Sequence, residues 1–271
     1  MKTIRYRAGR RSLRPVIALA LAGVILAPQP APAEPCEVAA EHAGVTFPVG
    51  KVDPRQTCRL KSIIDNYTTA NKLGPFRTPL PEASFTVLLD RPPFAAAMVN
   101  RLGYAPYQAA MRGPLEFWAS DGEGMEGVVE LVYRDRTSRM YLLDGTYTGT
   151  WLPRIAGKAV VLARLNPVKE PDGSDAMDTT LVSYVRLNNR ILSGVVSLLR
   201  PLIGSGVSRR LTRTVETANR LSLDMKNFPG RVMEKATADP PLPPDELALL
   251  KQMLAEWQEP NRSSPKGGER P

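Results

Sequence analysis

Apolar residues recur along the chain with two different periods, and the switches between them mark out its elements. From Arg59 to Asn71, Leu60, Ile63, Ile64 and Tyr67 keep the i, i+3, i+4, i+7 spacing, which predicts a short amphipathic helix. Leu73 to Pro81 reads as a proline-rich connector. From Ser84 to Leu89 the alternation of Phe85, Val87 and Leu89 predicts a short strand, and Pro92 opens an alanine-rich helix that Gly103 is placed to stop. Six strands follow, at Tyr107 to Arg112, Leu115 to Ser120, Gly127 to Arg134, Arg139 to Tyr147, Lys158 to Leu165 and Thr179 to Leu187. Turn residues such as Arg112-Gly113-Pro114, Asp121-Gly122 and Pro171-Asp172-Gly173 separate them, so the predicted arrangement is an antiparallel meander.

Alternation also assigns faces. In the third of these strands Glu130 and Arg134 take the solvent side, which turns Val129, Leu131 and Tyr133 inward. The next strand is ambiguous, because Met140 and Leu142 are as apolar as Tyr141 and Leu143. Asn188 to Leu223 then has helical periodicity, with Leu192, Val195, Val196, Leu199, Leu202 and Ile203 on one side, and Pro201, Gly204 and Gly206 are expected to kink or split it. Beyond it, Pro240 to Pro244 is a stiff spacer, Asp245 to Trp257 a short amphipathic helix, and the residues past Pro260 read as disordered.

The first residues change the picture of where the protein works. Lys2, Arg5, Arg7, Arg10, Arg11 and Arg14 precede an apolar run from Val16 to Leu26, and Ala31-Pro32-Ala33 follows as a small-x-small cleavage site. Residues 1–33 therefore read as a signal peptide, with Glu34 the first mature residue and a soluble periplasmic or secreted product. The run falls short of the about 20 apolar residues of an ordinary membrane span, although an uncleaved anchor is the competing reading. Arg10-Arg11-Ser12-Leu13 resembles a twin-arginine signal, but the residues beyond the pair do not complete the pattern, and the choice between Sec and twin-arginine export stays open. Cys36 is too distant from the apolar run for a lipoprotein site.

Charge and cysteines narrow the classes further. The net charge of +9 falls to about +3 once the six leader cations are set aside, which removes the main support for nucleic-acid binding. Arg209, Arg210, Arg213 and Arg220 remain clustered on the long helix, as a solvated face or a contact for anionic lipid. The only cysteines, Cys36 and Cys58, are expected to pair in an oxidising compartment, and with His42 alone they cannot complete a zinc site. The acidic stretches Asp121 to Glu126 and Asp172 to Asp178 lack calcium-loop spacing, and no phosphate loop, nucleophile elbow or zinc-protease helix occurs. No cofactor or metal is called for.

The order short strand, helix, antiparallel strands and long C-terminal helix resembles the START-like or helix-grip superfamily, which includes polyketide cyclases and plant pathogenesis-related lipid binders. The resemblance covers Ser84 to Leu223, most suggestively where Leu198-Leu199-Arg200-Pro201-Leu202-Ile203 leads through Val207 and Leu211. It implies an α+β domain over residues 83–230, with a curved antiparallel sheet of six to seven strands gripping the C-terminal helix around an apolar cavity. Residues 34–82 would be an N-terminal arm carrying the disulfide, and 231–271 a linker, short helix and tail, neither of which the superfamily pattern explains.

The cavity lining this implies comprises Phe117, Val129, Leu131, Tyr133, Tyr141 and Leu143 from the first strands. Leu181, Ser183 and Val185 would join from the last strand, and Val195 and Leu199 from the helix. Trp118 and Tyr184 are further aromatic candidates. The expected partner is a hydrophobic small molecule or lipid, bound and carried without catalysis. Two other readings stay open. One is an envelope protein that docks a partner on the helix 245–257 through Leu247, Leu250, Leu254 and Trp257; the other is an enzyme on the same scaffold using Asp144 or Glu130.

Overall fold

The computed structural model describes residues 36–149, 154–188 and 196–258, with the backbone alone for residues 196–203 and 258. The signal peptide read at 1–33, Val195 and the tail past Pro260 lie outside the described residues.

The arm begins with a two-stranded hairpin, β1 (Glu41–His42) and β2 (Val45–Thr46), and continues into α1 (Pro54–Ile64). The Asp53 carboxylate accepts the Arg55 N–H and Pro54 sits at the first helical position, so the helix starts five residues before the apolar spacing indicated. Cys58 on α1 is disulfide-bonded to Cys36.

The proline-rich connector is instead a strand, β3 (Thr69–Thr78), paired antiparallel with the last strand of the sheet. Pro75 lacks an N–H, but it falls in a bulge between Leu73 and Phe76 on an edge strand, where no ladder bond is lost. The strand expected at Ser84 to Leu89 is also corrected, to a helix, α2 (Glu82–Asp90). In so short an apolar run both periods fit; Phe85, Leu88 and Leu89 form the helical stripe that packs on Leu80, Ala163, Leu165 and Met177. α3 (Pro92–Arg101) starts and stops as expected. Gly103 at φ 74° ends it, with its N–H donating to the Asn100 carbonyl and that of Tyr104 to the Val99 carbonyl.

The meander comprises β4 (Gln108–Met111), β5 (Glu116–Ser120), β6 (Met125–Arg134), β7 (Ser138–Tyr147), β8 (Ile155–Lys169) and β9 (Asp175–Leu187). With β3 added they form one seven-stranded antiparallel sheet in the order β3-β9-β8-β7-β6-β5-β4. α4 (Val196–Asn227) runs unbroken through Pro201, Gly204 and Gly206, contrary to the expected split. After it, α5 (Pro229–Thr237), not anticipated, and α6 (Pro244–Gln258) fold back onto α3. Phe94, Met98, Leu221, Met225, Val232, Leu250, Met253 and Leu254 make one buried cluster there, so the segments beyond residue 230 belong to the same core.

One helix touches both flanks of this sheet. Ser208 donates to the Asn71 side chain of β3, while Arg210, two residues on and about 3 Å along the axis, pairs with Asp121 of the β5–β6 turn. Thr214 meets the Tyr107 hydroxyl beside β4, and Asn219 donates to the Arg77 carbonyl of β3. Seven flat strands would span about 29 Å, so these interleaved contacts require a curled sheet with α4 closing its open side. Gly127, Gly145 and Gly157 stand opposite one another on β6, β7 and β8, and a Cβ on any of them would come within 3 Å of a neighbouring backbone atom. That row lets the strands bend. The architecture is an α+β helix grip, and among the described residues no helix is long and apolar enough to cross a membrane.

Candidate functional site between the long helix and the inner sheet face

Residues opposed in an antiparallel ladder share a face, so the register alone sorts the side chains. One row runs Phe117, Val129, Leu143, Ala159, Val185 and Thr69 from β5 to β3. The next runs Leu131, Tyr141, Val161, Ser183 and Asn71, and a third Arg139, Ala163, Leu181 and Leu73. Thr69 and Asn71 belong to these rows and meet α4, which identifies them as the inner face. Eight of the predicted lining residues, Phe117, Val129, Leu131, Tyr141, Leu143, Leu181, Ser183 and Val185, are thereby brought together. Leu199 lies on α4 with its side chain outside the described part, and Val195 is outside the described residues altogether.

Tyr133 is on the other side of the sheet. A bulge between Leu131 and Tyr133 makes Tyr133 pair with Met140, which reverses the alternation. Its hydroxyl donates to Asp135, and its ring packs on the cluster that α1, Phe47 and Val49 form with Met140, Leu142, Val160, Leu162 and Val182. Tyr184 and Trp118 also lie on this outer face. Of the five aromatic candidates Phe117 and Tyr141 belong to the inner face.

The inner face is packed solid at one end and open in texture toward the other. Leu165, Met177 and Ala163 are buried under Leu80 and Phe85, which makes a floor. Above it Val129, Leu131, Tyr141, Leu143, Ala159, Val161 and Val185 are only half-buried, although α4 lies across the sheet. The apolar wall carries a few polar groups that the sequence did not single out. Asn71 accepts from Ser208 through Oδ1, yet its Nδ2 is buried without a hydrogen-bond partner, as are Ser183 Oγ opposite it, Thr179 Oγ1 and Arg139 Nε. Arg139 is 5% exposed, donates to the Asp135 and Ser138 carbonyls, and lies 3.7 Å from Asp90. Desolvation pushes the Tyr141 phenol up to about 12, so it stays protonated. Asn71 was missed because it fell in the supposed connector; a buried polar residue in a strand has no sequence signal until the strand is known.

The two carboxylates considered for catalysis are elsewhere. Glu130 is on the outer face, ion-paired with Arg59 at 2.7 Å and hydrogen-bonded by Gln56, and the Arg59 guanidinium holds its pKa below the usual range. Asp144 is 61% exposed beside Lys158. His42 is buried against Tyr184, 3.0 Å from its hydroxyl, on that same outer side. Among the described residues no group of acidic, histidine and cysteine side chains could hold a metal. Arg210 and Arg213 are committed to Asp121 and Glu123, whereas Arg209 is exposed. The apolar stripe of α6 is occupied within the chain: Leu250 and Leu254 are buried, and the Trp257 indole N–H donates to Ser84 Oγ. Open grooves of about 650 Å³ beside Tyr104, Thr217 and Arg220, and of about 500 Å³ beside Gln56 and Glu130, are mixed polar clefts; the second reaches Leu131 at the edge of the inner wall.

No protein-family model matches the chain, and no curated protein matches it. Among solved structures it is similar to a conserved protein from Geobacillus kaustophilus at 8% identity and a TM-score of 0.42, over 57% of this chain and 94% of that one. It is similar to Ara h 8.0201 at 12% identity and a TM-score of 0.36, over 58% and 99% of the two chains. Norcoclaurine synthase from Thalictrum flavum is similar at 12% identity and a TM-score of 0.35, over 58% and 86%. At these identities the likeness is one of fold, and the helix-grip architecture rests on the register and contacts of the chain itself.

Proposed function

We propose that this protein binds an apolar small molecule or lipid between α4 and the inner face of its sheet. The observation that carries the reading is the contrast on that face: a packed floor at one end, and above it aliphatic walls that are half-buried beneath a covering helix. A closed core of this size packs its central residues fully. An apolar wall with a few polar groups is the usual make-up of a small-molecule site. The Cys36–Cys58 bridge is the chemistry of an oxidising environment, and with the signal-peptide pattern read in residues 1–33 it supports action in the periplasm or outside the cell, where the protein would carry its ligand.

Native mass spectrometry of the mature protein purified from its own compartment, followed by organic extraction, tests this. A stoichiometric apolar ligand is the expected result. Protein that arrives empty and takes up neither fluorescent fatty-acid nor sterol probes would overturn the proposal.

A further inference from the structure

The polar atoms left over on the inner face are biased in kind. Asn71 Nδ2 is an amide NH2 and can only donate, while the carbonyl oxygen of that amide accepts from Ser208. Arg139 Nε can only donate as well. Ser183 sits directly opposite Asn71 with its hydroxyl unpartnered, and Tyr141 lies two strands further along the same row, about 10 Å away. Its phenol makes no hydrogen bond among the described residues. Between the glycine row and the packed floor, the inner face carries no Asp or Glu among the described residues, so nothing on the sheet supplies the missing acceptors. Buried polar groups almost always find partners; Asn71 Nδ2 and Arg139 Nε call for an acceptor, and the hydroxyls of Ser183 and Tyr141 can donate to the same group.

From this, and resting on the ligand-binding reading above, we infer that the bound molecule is an apolar compound bearing a carbonyl or carboxylate oxygen, which accepts hydrogen bonds from Asn71, Ser183 and Tyr141. Ser183 and Asn71 receive the oxygen from the β3–β9 side, and Tyr141 reaches it from β7. The aliphatic remainder lies against Val129, Leu143, Val161 and Val185. Arg139, at the end of the next row, shares its charge with Asp90 3.7 Å away, so the preference of this wall for oxygen rests on its hydrogen-bond donors.

Four probes with one chain length separate the chemistry: dodecanoic acid, methyl dodecanoate, dodecylamine and dodecane, each competing with a fluorescent fatty-acid probe on the full mature protein. The acid and the ester are expected to bind about tenfold or more tightly than the amine and the alkane, the worth of one or two well-made hydrogen bonds. The ratio of acid to ester reads the contribution of charge. Tyr141→Phe and Ser183→Ala, which keep the shape of the wall, are expected to bring the acid-to-alkane ratio down by about threefold to tenfold each while dodecane affinity holds. Equal binding of amine, alkane and acid would overturn the inference and leave the apolar site standing. Failure of all four probes, together with an empty native spectrum, would overturn both.

Discussion

His42 shows how one buried side chain ties stability to pH. It is 4% exposed, its Nε2 has no partner, and burial lowers its pKa below 6.5, with the nearby Ala39 backbone opposing the shift. The folded protein thus prefers the neutral ring. The stability this contributes is complete above about pH 6.5 and is lost as the pH falls below that value toward the depressed folded-state pKa. Thermal unfolding is expected to shift to lower temperature between pH 7.5 and 5.5 in the parent chain, and to lose that slope in His42→Gln. An identical slope in both would show that His42 is not the source. The carboxylates Glu130 and Asp178, held low by Arg59 and Arg77, act in a separate window, below their ordinary range near 4. At this scale alternation assigned Val129 and Leu131 of β6 to the inner face, and failed at Tyr133, where one bulged residue reversed the register.

Elements at the N-terminal side of the sheet depend on a covalent tie. The hairpin β1–β2 is two residues per strand, too short to persist alone, and α1 spans only three turns. The Cys36–Cys58 bridge closes a loop with a sequence separation of 22 and is worth about 3 kcal/mol in the chain-entropy view. Reduction is expected to lower the midpoint of thermal unfolding by roughly 10 °C, with Cys36→Ser/Cys58→Ser matching the reduced protein and indifferent to reductant. A midpoint unmoved by reductant would mean that α1 is held by Leu60 and Ile63 on the outer face alone. The meander and α3 were legible because their punctuation is local: turn glycines, a proline at the first helical position and a glycine in left-handed conformation. α2 and β3 were not, since a six-residue apolar run suits both periods and a proline is excluded from a strand only when its N–H is needed.

For the whole molecule, the decisive feature is closure of a curled sheet by α4. Arg210 is central to it, bonded to Asp121 at 3.0 Å and stacked 4.6 Å over the Tyr147 ring, and both partners of the ion pair are largely buried. Arg213 and Glu123 are about half exposed, and solvent screening leaves such a pair worth little. Arg210→Gln is therefore expected to cost about 1 kcal/mol and to speed release of a pre-bound fluorescent fatty-acid probe, with Arg213→Gln near neutral in both. Equal release rates in the three proteins would mean that α4 does not gate the inner face.

The sequence by itself determined the α+β class, the antiparallel order of the strands, the long C-terminal helix and the pairing of the two cysteines, because each follows from local periodicity, turn chemistry or simple counting. Only the tertiary structure decided that β3 completes the sheet, that α5 and α6 join the core, and that Asn71, Tyr141 and Ser183 share one wall. Those facts arise from pairings between separated segments, Asn71 with Ser183 across more than a hundred residues of chain, and no local pattern encodes which strand a distant segment meets.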